Sequence, residues 1–297
     1  MQTGIIGLGV MGKPIAQHLH KGCDELIAFG QDKDVLHELQ DQGICIADDV
    51  QEMVASDLLF LCLPNAQVVW DVLFGQEGIA DGLKAGTTVV DTSTISHMKT
   101  IEIADELEKR GIFFIDAPIS GMARKAEEGT LTVMCGGKID VFKRVKHFLD
   151  MFGSEILYMG QVGSGQLTKL INQLLFDIHA AALAEILPLS VKMGLDSEQV
   201  CKVINNGTGR SYASEFFVPR ILQGDFSGGY PLQSAYKDLV SGAEISAHHR
   251  IPLPVLAAAT ATYQQALLRG LGGLDKGGMV RVYEDLLDVK FRSAASL

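Results

Sequence analysis

The chain has 297 residues, 47% hydrophobic and 21% charged, enough for two packed domains and too apolar for a disordered chain. Its 25 Lys and Arg against 36 Asp and Glu leave a formal charge of −11, which argues against a nucleic-acid partner and demands a local cationic site for any anionic substrate. Five widely spaced cysteines, Cys23, Cys45, Cys62, Cys135 and Cys201, form no C-x-x-C pair; they argue against a disulfide framework or structural zinc and predict a reducing cytoplasm.

Residues 3–6 read as a short buried strand, followed by Gly7-Leu8-Gly9-Val10-Met11-Gly12 and a helical run from Pro14. Residues 26–29 are a second apolar strand, 35–40 helical, 44–47 extended and 52–55 helical; 57–63 form a buried strand stopped by Pro64. Strands at 88–91 and 112–116 flank a helix at 101–110, and further strands fall at 130–135 and 156–158. Strands spaced by helices predict a parallel sheet covered on both faces. Beyond residue 160 the β-rich runs stop, and 163–193, 197–205, 219–223, 232–248, 254–269 and 280–288 read as helices. The expected architecture is α/β, a Rossmann-type doubly wound parallel sheet over residues 1–160, followed by an all-α substrate and dimerisation domain over 161–297. The apolar stretch 170–189 is interrupted by Asn172, Asp177, His179, Glu185 and Pro188, so it reads as a core helix, not a membrane span. The first strand begins without a basic segment before it, so no signal peptide is read. Residues 270–278, rich in glycine, read as a flexible loop.

Gly7, Gly9 and Gly12 form G-x-G-x-x-G between a strand and a helix, the context in which such a turn binds a dinucleotide pyrophosphate. Val10 and Met11 complete the turn. The acid that holds the adenosine ribose belongs at the end of the second strand, where Gly30 stands before Gln31, Asp32 and Lys33. No arginine is present there to take a 2′-phosphate, and Asp32 would repel one whereas Lys33 would attract it, so the pattern leans to NAD over NADP.

Further segments are more specific. Asp116-Ala117-Pro118-Ile119-Ser120-Gly121 leads through Gly129-Thr130-Leu131-Thr132 to Gly136-Gly137. Gly163-Ser164-Gly165-Gln166-Leu167-Thr168-Lys169 runs on to Asn172, and Lys237-Asp238-Leu239 lies in the helical half. With the glycine turn, Leu63-Pro64 and Asp91-Thr92-Ser93-Thr94, these motifs resemble the β-hydroxyacid dehydrogenases in order and over nearly the whole chain. The resemblance implies an NAD(P)-dependent oxidoreductase interconverting a small anionic β-hydroxy acid and its semialdehyde or keto acid. It implies Lys169 as the catalytic lysine, with Ser120, Gly121 and Met122 in the carboxylate loop. Asn172, three residues along the helix from Lys169, and Tyr212 face substrate; Gln31, Leu63, Pro64, Thr94 and Lys237 join the cofactor set. The expected site is a cleft between the two domains. A lysine amine can take the hydroxyl proton while hydride leaves carbon, provided burial or a cationic neighbour lowers its reference pKa of about 10.4.

The family usually continues Ser120-Gly121 with glycine, but here Met122 stands before Ala123-Arg124-Lys125. A bulky Met122 reshapes the carboxylate end, and Arg124 and Lys125 are either a solvated loop or a seat for a second anionic group. Imine reduction on the same architecture and a non-catalytic dinucleotide sensor are the alternatives; Lys169 argues against the first, and retention of Ser120, Lys169 and Asn172 together against the second. His18 with His20, and His248 with His249, lack partners at metal-ligand spacing, so no metal is expected. Apolar faces in the helical half predict a homodimer or homotetramer.

Overall fold

In the computed structural model, which describes residues 1–293, the short apolar runs of the first half are strands closed on both faces. β1 (Gln2–Ile6), β2 (Glu25–Phe29), β3 (Cys45–Ile46), β4 (Leu58–Leu61), β5 (Thr88–Asp91) and β6 (Phe113–Asp116) pair in parallel in the order β3-β2-β1-β4-β5-β6. Helices α1 (Gly12–His20), α2 (Lys33–Asp41), α3 (Ala66–Phe74) and α4 (His97–Glu108) make the crossovers, with a 3₁₀ turn at Val50–Ala55. Alternate residues of β4 feed two cores: Leu58 and Phe60 join Ile15, Leu19 and Phe152, while Leu59 and Leu61 join Met53, Leu73 and Ile103. Each such side chain contributes about 1.5–3 kcal/mol by leaving water. Strand order reverses between β1 and β4, the place where doubly wound sheets open a crevice at the strands' carboxyl ends.

Beyond β6 come β7 (Ile119–Ser120), α5 (Met122–Glu127), β8 (Leu131–Gly137), α6 (Ile139–Leu149) and β9 (Gly153–Gly160). The all-parallel expectation fails here, because β8 runs antiparallel to β6 and β7 and parallel to β9. α5 has six residues and is roughly 9 Å long, too short to return the chain to the far edge of the sheet, so β8 runs back beside β6. Residues 122–127 are therefore a helix and not the loop read from the sequence.

The chain divides into two compact units within α7 (Ser164–Lys192), the first Met1–Lys169 and the second from Leu170 onward. The second unit continues through α8 (Ser197–Asn206), α9 (Tyr212–Gln223), α10 (Leu232–His249), α11 (Pro254–Leu268) and α12 (Val280–Leu287). Phe217, Leu232, Leu239, Tyr263, Met279 and Phe291 lie in its core. The stretch 270–278 is not a flexible loop: it forms 3₁₀ turns at Leu271–Gly273 and Lys276–Met279. Asp275 explains this order, since its carboxylate accepts from the Gly277 N–H at 2.9 Å and the Gly229 N–H at 3.1 Å. Next to it Lys276 is only 1% exposed, ion-paired with Asp177 of α7, its ammonium 4.3 Å over the Phe176 ring. The Tyr263 hydroxyl donates to the same carboxylate at 3.0 Å. Burial pushes Asp177 up to about 6 against the opposing pull of Lys276. Removing one partner of such a pair typically costs about 3–5 kcal/mol.

Candidate active site

The three glycines of the first turn divide the work as a dinucleotide site requires. Gly7 sits at φ 97°, and a Cβ there would overlap the Cys62 carbonyl oxygen; a Cβ on Gly12 would overlap the Gly7 carbonyl oxygen. Gly9 is different, since a Cβ there would meet nothing within 4 Å. α1 starts from Met11 with no side-chain cap, beside exposed Val10. Open space beside Gly9, next to an uncapped helix N-terminus, fits a pyrophosphate. At the end of β2, a Cβ on Gly30 would press on the Leu8 side chain, 3.0 Å from its methyl. Asp32 caps α2, accepting from the Asp34 and Val35 N–H groups at 3.0 and 3.3 Å, while Gln31 is exposed.

The carboxyl edge of β4, β5 and β6 is bonded to the start of α7. The Leu63 N–H donates to the Ser93 hydroxyl at 2.9 Å, and Ser93 N–H donates to Asp91 at 2.9 Å. Buried Gln166 donates to the Ser93 carbonyl at 2.6 Å and accepts from the Ile95 N–H at 3.2 Å, gripping both neighbours of Thr94. Asp116, fully buried at the end of β6, accepts from the Gly163 N–H at 2.7 Å and the Gln166 N–H at 2.9 Å, and so caps α7 from another element. His97 Nδ1 donates to the Gly163 carbonyl at 3.0 Å. Glycines at 136 and 165 are obligatory around Asp116: a Cβ on Gly136 would overlap the carboxylate, and one on Gly165 would overlap the Met134 carbonyl oxygen.

Asp91 and Asp116 are register partners across β5 and β6. Burial pushes Asp91 up to about 7, and the Asp116 charge adds to the rise; one Asp91 oxygen has no hydrogen-bond partner among the described residues. Burial likewise raises Asp116, opposed by the N–H groups it accepts from. Cys62, close by, is pushed up to about 11 by burial, which leaves no thiolate for nucleophilic chemistry near neutral pH.

Lys169 follows Gln166 by one turn of α7 and is 8% exposed. Ser120 ends β7, Gly121 has φ 145°, and Met122 opens α5 with φ 61°, a left-handed conformation unusual for a residue with a side chain. Gly7–Gly12, Leu63, Pro64, Thr94, Ser120–Met122 and Lys169 thus all belong to the first unit. Asn172, Tyr212 and Lys237 belong to the second. Asn172 is exposed on α7 and donates to Gln173 at 3.4 Å. Tyr212 is 59% exposed with its ring 5.6 Å from Phe176, and Lys237 is exposed on α10 beside buried Asp238. Sequence reasoning gave no role to Asp91, Ser93, Asp116 or Gln166; the available signal was an acid closing each of two apolar strand runs. A cavity of about 300 Å³ lined by Ala104, Glu108 and Phe113 lies at the opposite, amino-terminal end of β6 and contains no motif residue. Among the described residues no cluster of three His, Cys, Asp or Glu can hold a metal.

Residues 2–160 match the family profile described as the NAD binding domain of 6-phosphogluconate dehydrogenase. Residues 163–283 match the one described as NAD-binding of NADP-dependent 3-hydroxyisobutyrate dehydrogenase. The chain is 37% identical to 2-(hydroxymethyl)glutarate dehydrogenase of Eubacterium barkeri, over 97% of each. It is 32% identical to mitochondrial 3-hydroxyisobutyrate dehydrogenase of Mus musculus, over 92% of this chain and 84% of that one. A crystal structure of 3-hydroxyisobutyrate dehydrogenase from Salmonella typhimurium aligns with a TM-score of 0.84 at 30% identity, covering 95% of this chain and 99% of that one. An imine reductase from a Pseudomonas species, at 19% identity and TM-score 0.58 over 95% of this chain and 98% of that one, shares the fold alone.

Proposed function

Because the chain belongs to the β-hydroxyacid dehydrogenase family, and is an NAD(P)-dependent oxidoreductase of small β-hydroxy acids, we propose that Lys169 is its general acid/base. Bound at the Gly7–Gly12 turn, the dinucleotide supplies hydride exchange at the substrate carbon. The Lys169 amine takes the hydroxyl proton as the alcohol is oxidised and, as an ammonium, returns it in reduction. Ser120, Gly121 and Met122 take the substrate carboxylate through hydroxyl and backbone N–H groups, while Asn172 and Tyr212 orient the rest of the acid. Leu63, Pro64 and Thr94 line the nicotinamide end, and Lys237 serves its ribose. A single observation carries this reading: the turn before Lys169 is held by Asp116 of β6 and by Gln166, which binds both neighbours of Thr94, one of which, Ser93, accepts from the Leu63 N–H.

We infer NAD over NADP, because no arginine follows β2 to hold a 2′-phosphate and the charge of Asp32 there opposes the attraction of Lys33. The substrate carries a hydroxymethyl group next to a carboxylate, as the names of the relatives acting on 3-hydroxyisobutyrate and 2-(hydroxymethyl)glutarate describe. The working compartment is the reducing cytoplasm, which suits five unpaired cysteines. The test is Lys169→Ala. Its turnover is expected to fall roughly 10²–10⁴-fold, with NAD still bound more tightly than NADP by fluorescence titration. Undiminished kcat removes Lys169 from the mechanism.

A further inference from the structure

We propose that Lys125 is a specificity-determining residue that binds a second anionic group on the substrate, so that the preferred substrate class is dicarboxylic hydroxy acids. The inference rests on the reading of Ser120–Met122 as the loop for the first carboxylate, and it begins with that loop's backbone. Gly121 at φ 145° is followed by Met122 at φ 61°. A side chain held in the left-handed region is a local cost that structures retain chiefly at functional turns. The consequence of the turn is that α5 folds back over it. A Cβ added to Gly121 would lie 2.7 Å from Lys125 Cβ and 2.8 Å from its Cδ, so the lysine stem lies across the Gly121 backbone.

α5 is fixed in this position. His18 of α1 donates from Nε2 to the Glu127 carbonyl at 3.0 Å, and Gly129 packs so closely on the same ring that a Cβ would come within 2.9 Å. The two cations of α5 then differ in availability. Arg124 is committed to Glu128, one helical turn on, at 2.8 Å, and its side chain is 86% exposed. Lys125 has no ion-pair partner among the described residues. In a chain of formal charge −11, this ammonium is a positive charge carried on a stem that lies across the loop. A lysine is a compact charge on a long flexible stem, suited to a carboxylate that a short methylene chain carries away from the first one. A monocarboxylic acid leaves the ammonium in water.

The test compares kcat/KM for 2-(hydroxymethyl)glutarate and 3-hydroxyisobutyrate, with saturating NAD, in the wild-type enzyme and in Lys125→Met, Lys125→Arg and Arg124→Gln. Wild type is expected to prefer the dicarboxylate, and Lys125→Met to lower the dicarboxylate-to-monocarboxylate ratio about tenfold through KM. Lys125→Arg is expected to restore most of the ratio, and Arg124→Gln to leave it within twofold. A ratio that Lys125→Met leaves unchanged, or that Arg124→Gln lowers equally, overturns the assignment, the latter pointing to a diffuse field. Turnover of the monocarboxylate alone also overturns it while leaving the parent reading intact. NAD(P)-linked turnover of neither acid overturns the parent reading of the substrate, and this inference with it.

Discussion

Asp91 shows how far a single side chain departs from what its place in the sequence suggests. Its carboxyl closes an apolar strand, is fully buried and has one N–H donor, from Ser93. With its native pKa pushed up to about 7, the folded state holds a proton that the unfolded chain releases above the ordinary carboxylate range. Its contribution to stability is therefore present below the unfolded value and is lost as pH rises through about 7. Replacing Asp91 with Asn removes that dependence. Between pH 5 and pH 8 the stability difference is expected to move in favour of Asp91→Asn by on the order of 2 kcal/mol, measured by urea denaturation at each pH. A difference flat in pH means that Asp91 titrates as an ordinary carboxylate. Asp32 illustrates the converse: an acid near the ribose position is occupied as the cap of α2.

Among the elements, α7 joins the sheet edge to Lys169, the general acid/base we propose. Its first turn is held by a carboxylate from β6 and a glutamine that grips the loop after β5, and both depend on glycine at position 165. In Gly165→Ala the new methyl would meet the Met134 carbonyl oxygen and come 2.8 Å from the Asp116 carboxylate, so the start of the helix must shift. Displacing Lys169 by a fraction of an ångström is expected to lower kcat roughly 10- to 100-fold while the Kd for NAD changes little. Stopped-flow kinetics and fluorescence titration separate the two, and a variant of normal kcat would show that the clamp does not position Lys169. The same helix presents Ile171, Leu175, Ile186 and Leu189 to solvent at helical spacing.

That exposed stripe matters for the whole molecule. By length and composition alone α7 is apolar enough to cross a bilayer. It also carries Asn172, Asp177, His179 and Glu185, costly groups in hydrocarbon. The stripe fits a second copy of the chain better, which is our reading of the oligomer: a dimer or tetramer formed through the helical half. Light scattering in detergent-free buffer is expected to give at least twice 32.0 kDa. Ile186→Asp combined with Leu189→Asp is expected to shift the species toward monomer; a 32.0 kDa wild-type protein would refute the assembly.

The fold was legible from local pattern. Apolar runs of four or five residues alternating with helical periods specify the β1–β6 region, and Gly7, Gly9 and Gly12 specify the tight turn after β1, because both depend on short-range stereochemistry. The motif around Lys169 stood out by its glycines, and the contacts of Asp116 account for the one at position 165. The reversal of β8, the burial of Lys276 in a segment that reads as a loop, and the roles of Asp91, Asp116 and Gln166 were decided by tertiary structure. The buried contacts among these join residues distant in the chain, Lys276 with Asp177, Gln166 with Ser93 and Asp116 with Gly163, and burial turns such a contact from a weak surface attraction into a structural requirement.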